Sequence, residues 1–152
     1  MKLIAITGLA GIEKGRLTLD MATHLQRQGQ RVLVLDNGEN NPLNTLQDHA
    51  LSPITIERIT GDLSVALYSH LAEISKQDMD IVLLNVAESL NPEELYASLT
   101  GIAEINIEDV RVIAVLDDRT CNCFPHVQDL LEQFADLTLT YPFTLEEALS
   151  VL

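Results

Sequence analysis

The sequence predicts an α/β fold in three layers: a mostly parallel sheet with helices packed on both faces. Four runs rich in Ile, Val and Leu are apolar almost without interruption: Lys2–Thr7, Arg31–Leu35, Ile81–Leu84 and Val110–Leu116. A strand wet on one face alternates apolar and polar residues, so runs of this kind belong to strands covered on both faces, the setting of parallel sheets. Between the runs, apolar residues recur at helical spacing, and strands alternating with helices build parallel crossover units. The four runs are therefore expected to form the interior of the sheet.

Each element has its own justification. Lys2–Thr7 is the first strand. Leu17, Met21, Ala22 and Leu25 fall on one face of a helix, and Gly29 supplies its stop. Arg31-Val-Leu-Val-Leu-Asp36 is a second strand that ends in an acid, and Asn37–Pro42 reads as a loop by composition. Leu43–Ala50 reads as a short helix and Ile54–Arg58 as a short strand. Asp62 is placed to cap a helix running to Lys76, with Leu63, Leu67, Leu71 and Ile74 on one face. Asp80–Val86 is the third strong strand. Asn91-Pro92-Glu93-Glu94 then combines a capping amide, proline at the first helical position and acids in the first turn. Val110–Leu116 is the fourth strong strand, Pro125–Phe134 a helix and Leu137–Tyr141 a last strand. Thr144-Leu-Glu-Glu147 opens a terminal helix with capping-box spacing. There is no repeat, linker or low-complexity stretch, so residues 1–152 are expected to form a single domain, long enough to bury a core.

Composition excludes several classes of partner. The net charge is -14, and the 9 Lys and Arg residues are scattered rather than gathered into a stripe. Nucleic-acid binding rests mainly on releasing counterions from phosphates, so no nucleic-acid partner is expected; anionic lipid surfaces are disfavoured for the same reason. Aromatic residues make up 4% of the chain and Trp is absent, which leaves few platforms for stacking bases. No apolar run approaches the roughly 20 residues of a membrane span, and the N-terminal segment lacks the long apolar core of a secretory signal. Cys121 and Cys123 stand too close to staple distant elements, which favours a reduced, cytoplasmic setting. The acidic surface is suited to steering a basic protein partner, and a homodimer is the other partnership expected.

The stretch most informative about function is Thr7-Gly8-Leu9-Ala10-Gly11-Ile12-Glu13-Lys14-Gly15. An apolar strand runs into Gly8, a lysine follows at Lys14, and a helical pattern begins at once. This is the layout of G-x-x-x-x-G-K-[ST], in which inward-pointing backbone N–H groups and a helix N-terminus cradle phosphates. Two parts differ: Glu13 replaces the second glycine, and Gly15 replaces the hydroxyl that holds Mg²⁺. A glycine-rich turn between a first strand and a first helix is also what any doubly wound domain needs, so Gly8 and Gly11 fit that plainer reading too.

On these residues the first 36 positions resemble the opening of a P-loop nucleoside triphosphatase. Gly29-Gln-Arg-Val-Leu-Val-Leu-Asp36 is similar to the second strand of the MinD/ParA group, which commonly ends in an acid. The resemblance implies ATP or GTP with Mg²⁺ as the cofactor, and Gly8, Gly11, Lys14, Gly15 and Asp36 as its binding residues. The chain departs from the group at several points. Leu9 stands where the additional signature lysine belongs, and Asn85 stands where a later strand ends in an acid near the Mg²⁺ shell. The chain is also shorter than typical members. A carboxylate at position 13 repels a phosphate by about 4 kcal/mol at ~4 Å and an effective dielectric near 20. The lost hydroxyl and the neutral Asn85 weaken any hold on a hard cation. No catalytic residue and no metal ligand is therefore assigned. The leading expectation is a non-catalytic protein-interaction or regulatory module on a degenerate P-loop fold. The alternative is a small MinD/ParA-like ATPase or GTPase with a rearranged loop.

Other candidate sites are weaker. Cys121, Cys123 and His126 have ligand chemistry suited to Zn²⁺, but their spacing is not that of known zinc motifs, and two loop cysteines with a helix-start histidine is the plainer reading. Asp117, Asp118 and Arg119 read as a solvated turn. His24, His49 and His70 have no partner pattern. Most acids, Glu88 among them, read as helix starts or solvated faces.

Overall fold

The four apolar runs are the interior strands of a six-stranded, all-parallel sheet. In the computed structural model, which describes residues 1–9, 11–38, 43, 54–102, 105 and 107–152, they are β1 (Lys2–Thr7), β2 (Val32–Asp36), β4 (Ile81–Asn85) and β5 (Asp109–Leu116). The edges are β3 (Ile56–Arg58) and β6 (Leu137–Thr140), and the spatial order is β3-β2-β4-β1-β5-β6. The edge strands are short and only partly buried, which suits strands covered less fully than those between them.

Helices α1 (Gly11–Arg27), α2 (Leu63–Ile74), α3 (Pro92–Thr100), α4 (Asp118–Cys123), α5 (Pro125–Phe134) and α6 (Leu145–Leu149) complete the described elements. Leu17, Met21, Ala22 and Leu25 of α1, with Ala148 of α6, pack on Ile4, Ile6, Val34, Leu83, Ile113 and Val115. On the other face, Leu63, Leu67, Leu71 and Ile74 of α2 and Leu95 of α3 cover Leu3, Ala5, Leu33, Leu35, Val82 and Leu84. Each of these leucines, taken fully out of water, contributes roughly 1.5–3 kcal/mol. Leu131 of α5 closes over Ala114 and Leu116. The strands are apolar on both faces because both faces are covered.

The helix ends follow their sequence signals. Gly29 adopts φ +85°, and around it Gly29 N–H reaches Gln26 O at 3.0 Å while Gln30 N–H reaches Leu25 O at 3.1 Å. Asp62 accepts from Ser64 N–H, Asn91 accepts from Glu93 N–H with Pro92 behind it, and Thr144 accepts from Glu147 N–H.

Two expectations need correction. α1 begins at Gly11, so the stretch Gly11–Gly15 is helical rather than part of an open loop. Asp118–Cys123 is a short helix, with Asp118 in its first turn, in place of the solvated turn and loop cysteines that composition suggests; an acid there complements the helix dipole. The helix expected over Leu43–Ala50 lies outside the described residues except for Leu43, which is buried in the α1-side core. The loop expected at Asn37–Pro42 is described only at Asn37 and Gly38.

Candidate functional site

The chain leaves adjacent strands β1 and β4 in opposite directions. From β1 it crosses past β4 to β2, with α1 on one face; from β4 it crosses past β1 to β5, with α3 on the other. The crevice between the carboxyl ends of two such strands is where open α/β sheets bind their ligands. Here that crevice holds Lys14, from the first turns of α1, and the segment that follows Asn85.

Lys14 is wholly buried, with a side-chain exposure of 0%. Its ammonium donates a short hydrogen bond to the carbonyl oxygen of Val86 and lies 3.5 Å from Glu88 Oε1. Val86 itself donates its N–H to Ile6 O at 3.0 Å, which fixes the carbonyl just beyond the β1–β4 ladder. At that separation the Lys14–Glu88 attraction is about 5 kcal/mol at an effective dielectric near 20, offset in part by desolvating both groups. Glu88 is the residue of this crevice that sequence reasoning did not single out. Its pattern places it on a solvated face, yet its side chain is only 18% exposed. Sequence distance hides it, because Glu88 meets Lys14 only once β4 is laid beside β1.

Gly8 has a structural explanation independent of any ligand. Its φ is +134°, and a Cβ added there would stand 2.2 Å from the carbonyl oxygen of Val115. Glycine is required because β1 leaves the sheet in direct contact with the β5 backbone. Gly15 is buried within α1 and offers no hydroxyl. Thr18, the nearest hydroxyl on that helix, donates to Lys14 O at 2.7 Å, a bond back to the preceding turn. Glu13 is half-buried in the first turn of α1, where the helix dipole favours a carboxylate and where the same charge repels an incoming anion.

Asp36 sits in a buried polar row across three strand ends. The register places it between Arg58 of β3 and Asn85 of β4. Its carboxylate accepts from Asn85 Nδ2 at 3.0 Å and from Gly38 N–H at 2.9 Å, and pairs with Arg58 at 3.2 Å. With 1% exposure, this carboxylate is stabilised by donors within the fold. The same row explains Asn85. An acid there would face Asp36 across the ladder with no proton to donate, whereas an amide supplies the donor. The orientation leaves Asn85 Oδ1 buried without a hydrogen-bond partner.

Two cavities open along this edge. One, about 310 Å³, is lined by Thr7, Gly8, Leu9, Glu88, Phe124 and His126 among others. The other, about 600 Å³, lies between the starts of α2 and α3 and includes Asn37, Asp62, Ser89 and Glu94. Cys123, at the end of α4, is an exposed free thiol, and His126 faces the smaller cavity. No group of three or more His, Cys, Asp or Glu side chains poised to hold a metal is present among the described residues. His70 has an acidic neighbour not foreseen from sequence, Glu57 at 3.6 Å. No helix among the described residues is long and apolar enough to cross a membrane.

No protein-family model matches the sequence, and no curated protein matches it. Solved structures do resemble it. The signal recognition particle receptor FtsY from Elizabethkingia anophelis superposes with a TM-score of 0.63 at 16% identity, over 91% of this chain and 49% of that one. FlhF complexed with GTP/Mg(2+) gives 0.61 at 10% identity, over 97% and 59%. A de novo designed protein of P-loop NTPase fold gives 0.58 at 14% identity, over 99% and 88%. The chain thus spans about half the length of the FtsY structure. It has the P-loop NTPase fold.

Proposed function

We propose that this chain is a degenerate P-loop NTPase-like domain acting as a non-catalytic protein-interaction or regulatory module. The observation that carries the reading is the state of Lys14. The cation that would meet a nucleotide's phosphates is buried and neutralised from within, by Glu88 and the Val86 carbonyl. Its surroundings agree: a helix that starts at Gly11, no hydroxyl at Gly15, Thr18 bonded to its own helix, and Asp36 and Asn85 bonded to each other. The net charge of -14 suits a basic protein partner, or a second copy that meets this one through a less acidic face.

The test is thermal unfolding with ATP or GTP and Mg²⁺. A ligand raises the melting temperature only when its concentration well exceeds its Kd. Little or no shift is expected even at millimolar nucleotide, and a clear shift at micromolar nucleotide would overturn the reading. A second reading has its own support: FlhF, of similar fold, is complexed with GTP/Mg(2+). On that reading the chain is a small ATPase or GTPase, MinD/ParA-like in its second strand. Gly8, Gly11, Lys14, Gly15 and Asp36 then serve the nucleotide after a rearrangement that frees Lys14.

A further inference from the structure

We infer that Glu88 is an internal counter-ion: its carboxylate stands in for a ligand's phosphoryl group at Lys14 and closes a latent anion site. The inference rests on the proposed reading of the crevice as a phosphate site no longer in use, and it names what closes that site. Three observations carry it.

First, a fully buried ammonium demands an anion, and at the switch point between β1 and β4 the fold presents that ammonium where a ligand would lie. The anion found there belongs to the protein. Second, Glu88 stands in the connection between β4 and α3, outside helix and strand, and keeps 18% of its side chain exposed. Third, Glu88 forms part of the wall of the 310 Å³ cavity beside Thr7, Gly8 and Leu9. A ligand entering that cavity reaches the carboxylate before it reaches the buried ammonium.

The ligand class follows from the chemistry. A phosphoryl group brings more acceptor oxygens and more negative charge than a carboxylate, so it suits the same ammonium once the charge of Glu88 is removed. A neutral or cationic ligand gains nothing there.

The experiment uses the full chain and two probes, inorganic pyrophosphate and ATP with Mg²⁺, titrated by calorimetry at low salt. The parent should show no binding at millimolar probe. Glu88→Gln keeps the side chain's size and removes its charge, and should bind pyrophosphate at least tenfold more tightly than the parent. Adding Lys14→Met to that variant should abolish the gain. A gain shared by both probes identifies the phosphoryl group as the ligand, and a larger gain with ATP adds a contribution from the nucleoside. A folded Glu88→Gln variant that binds no better than the parent overturns the inference. Should Glu88→Gln fail to fold, Glu88→Asp withdraws the carboxylate by one methylene. The Lys14 side-chain nitrogen resonance should then respond to pyrophosphate at lower concentration than in the parent, and an unchanged response overturns the inference. Micromolar ATP binding by the parent would instead sink the non-catalytic reading, so the two failures are distinguishable.

Discussion

Replacing Lys14 with methionine tests whether the buried pair holds the crevice together. Methionine keeps most of the volume of the lysine stem, so the core around it stays filled while the charge is removed. What remains is Glu88, 18% exposed and without its cation, and a Val86 carbonyl without its donor. Breaking a buried pair from one side typically costs about 3–5 kcal/mol. Glu88 can recover some hydration through the neighbouring cavity, so about 2–3 kcal/mol is expected at neutral pH. Glu88→Gln should cost a similar amount, because it strands a buried ammonium. The double variant should cost no more than either single change, which leaves a coupling energy of about 2–3 kcal/mol between the two positions. Urea unfolding of the four proteins, followed by circular dichroism, measures this directly, with the midpoint shifting and the slope unchanged. If each single variant loses less than about 1 kcal/mol and the coupling is near zero, the pair is incidental and the reasoning about the crevice fails.

Gly8→Ala should lose about 3 kcal/mol or more, since its Cβ meets the Val115 carbonyl at 2.2 Å and its φ is +134°; a loss under about 1 kcal/mol in urea would show that the β1 end can move aside. Asn85→Asp should destabilise by about 2 kcal/mol in urea, because it sets a second carboxylate against Asp36 where an amide donor stood; a loss under about 0.5 kcal/mol would argue against the Asn85–Asp36 contact. Asp80, hydrogen-bonded by the Arg31 guanidinium and N–H, is held down to about 2 from the ordinary 3.8. Its contribution to stability is present above the unfolded value and is lost as pH falls from 3.8 through about 2. In a carbon-13 NMR titration Arg31→Ala should return its midpoint toward 3.8, and an unmoved midpoint would exclude Arg31 as the cause. Restoring the motif with Glu13→Gly and Gly15→Thr should give no calorimetric gain in pyrophosphate binding while Glu88 is present, and a clear gain once Glu88→Gln is added; a gain from the first two changes alone would show that Glu88 does not close the site.

Much of the architecture was legible in the residues themselves, because its causes are local. Strands buried on both faces must be apolar throughout, so the four interior strands could be read directly. Leu63, Leu67, Leu71 and Ile74 share one face because of helical periodicity, and Asp62, Asn91 and Thr144 cap because their side chains reach the next turn. The site was legible only as far as it is contiguous. Gly8, Lys14 and Asp36 could be singled out from motif spacing, and the departures at Glu13, Gly15 and Asn85 were visible as departures. Their meaning was not. The 74-residue separation of Lys14 from Glu88 leaves no pattern in the sequence. Only the strand order, with β4 beside β1, brings that carboxylate to the lysine, and only the register across β3, β2 and β4 sets Arg58, Asp36 and Asn85 in one row. Periodicity and capping are properties of neighbouring residues, whereas the neutralisation of a buried charge depends on which distant strand ends are laid together.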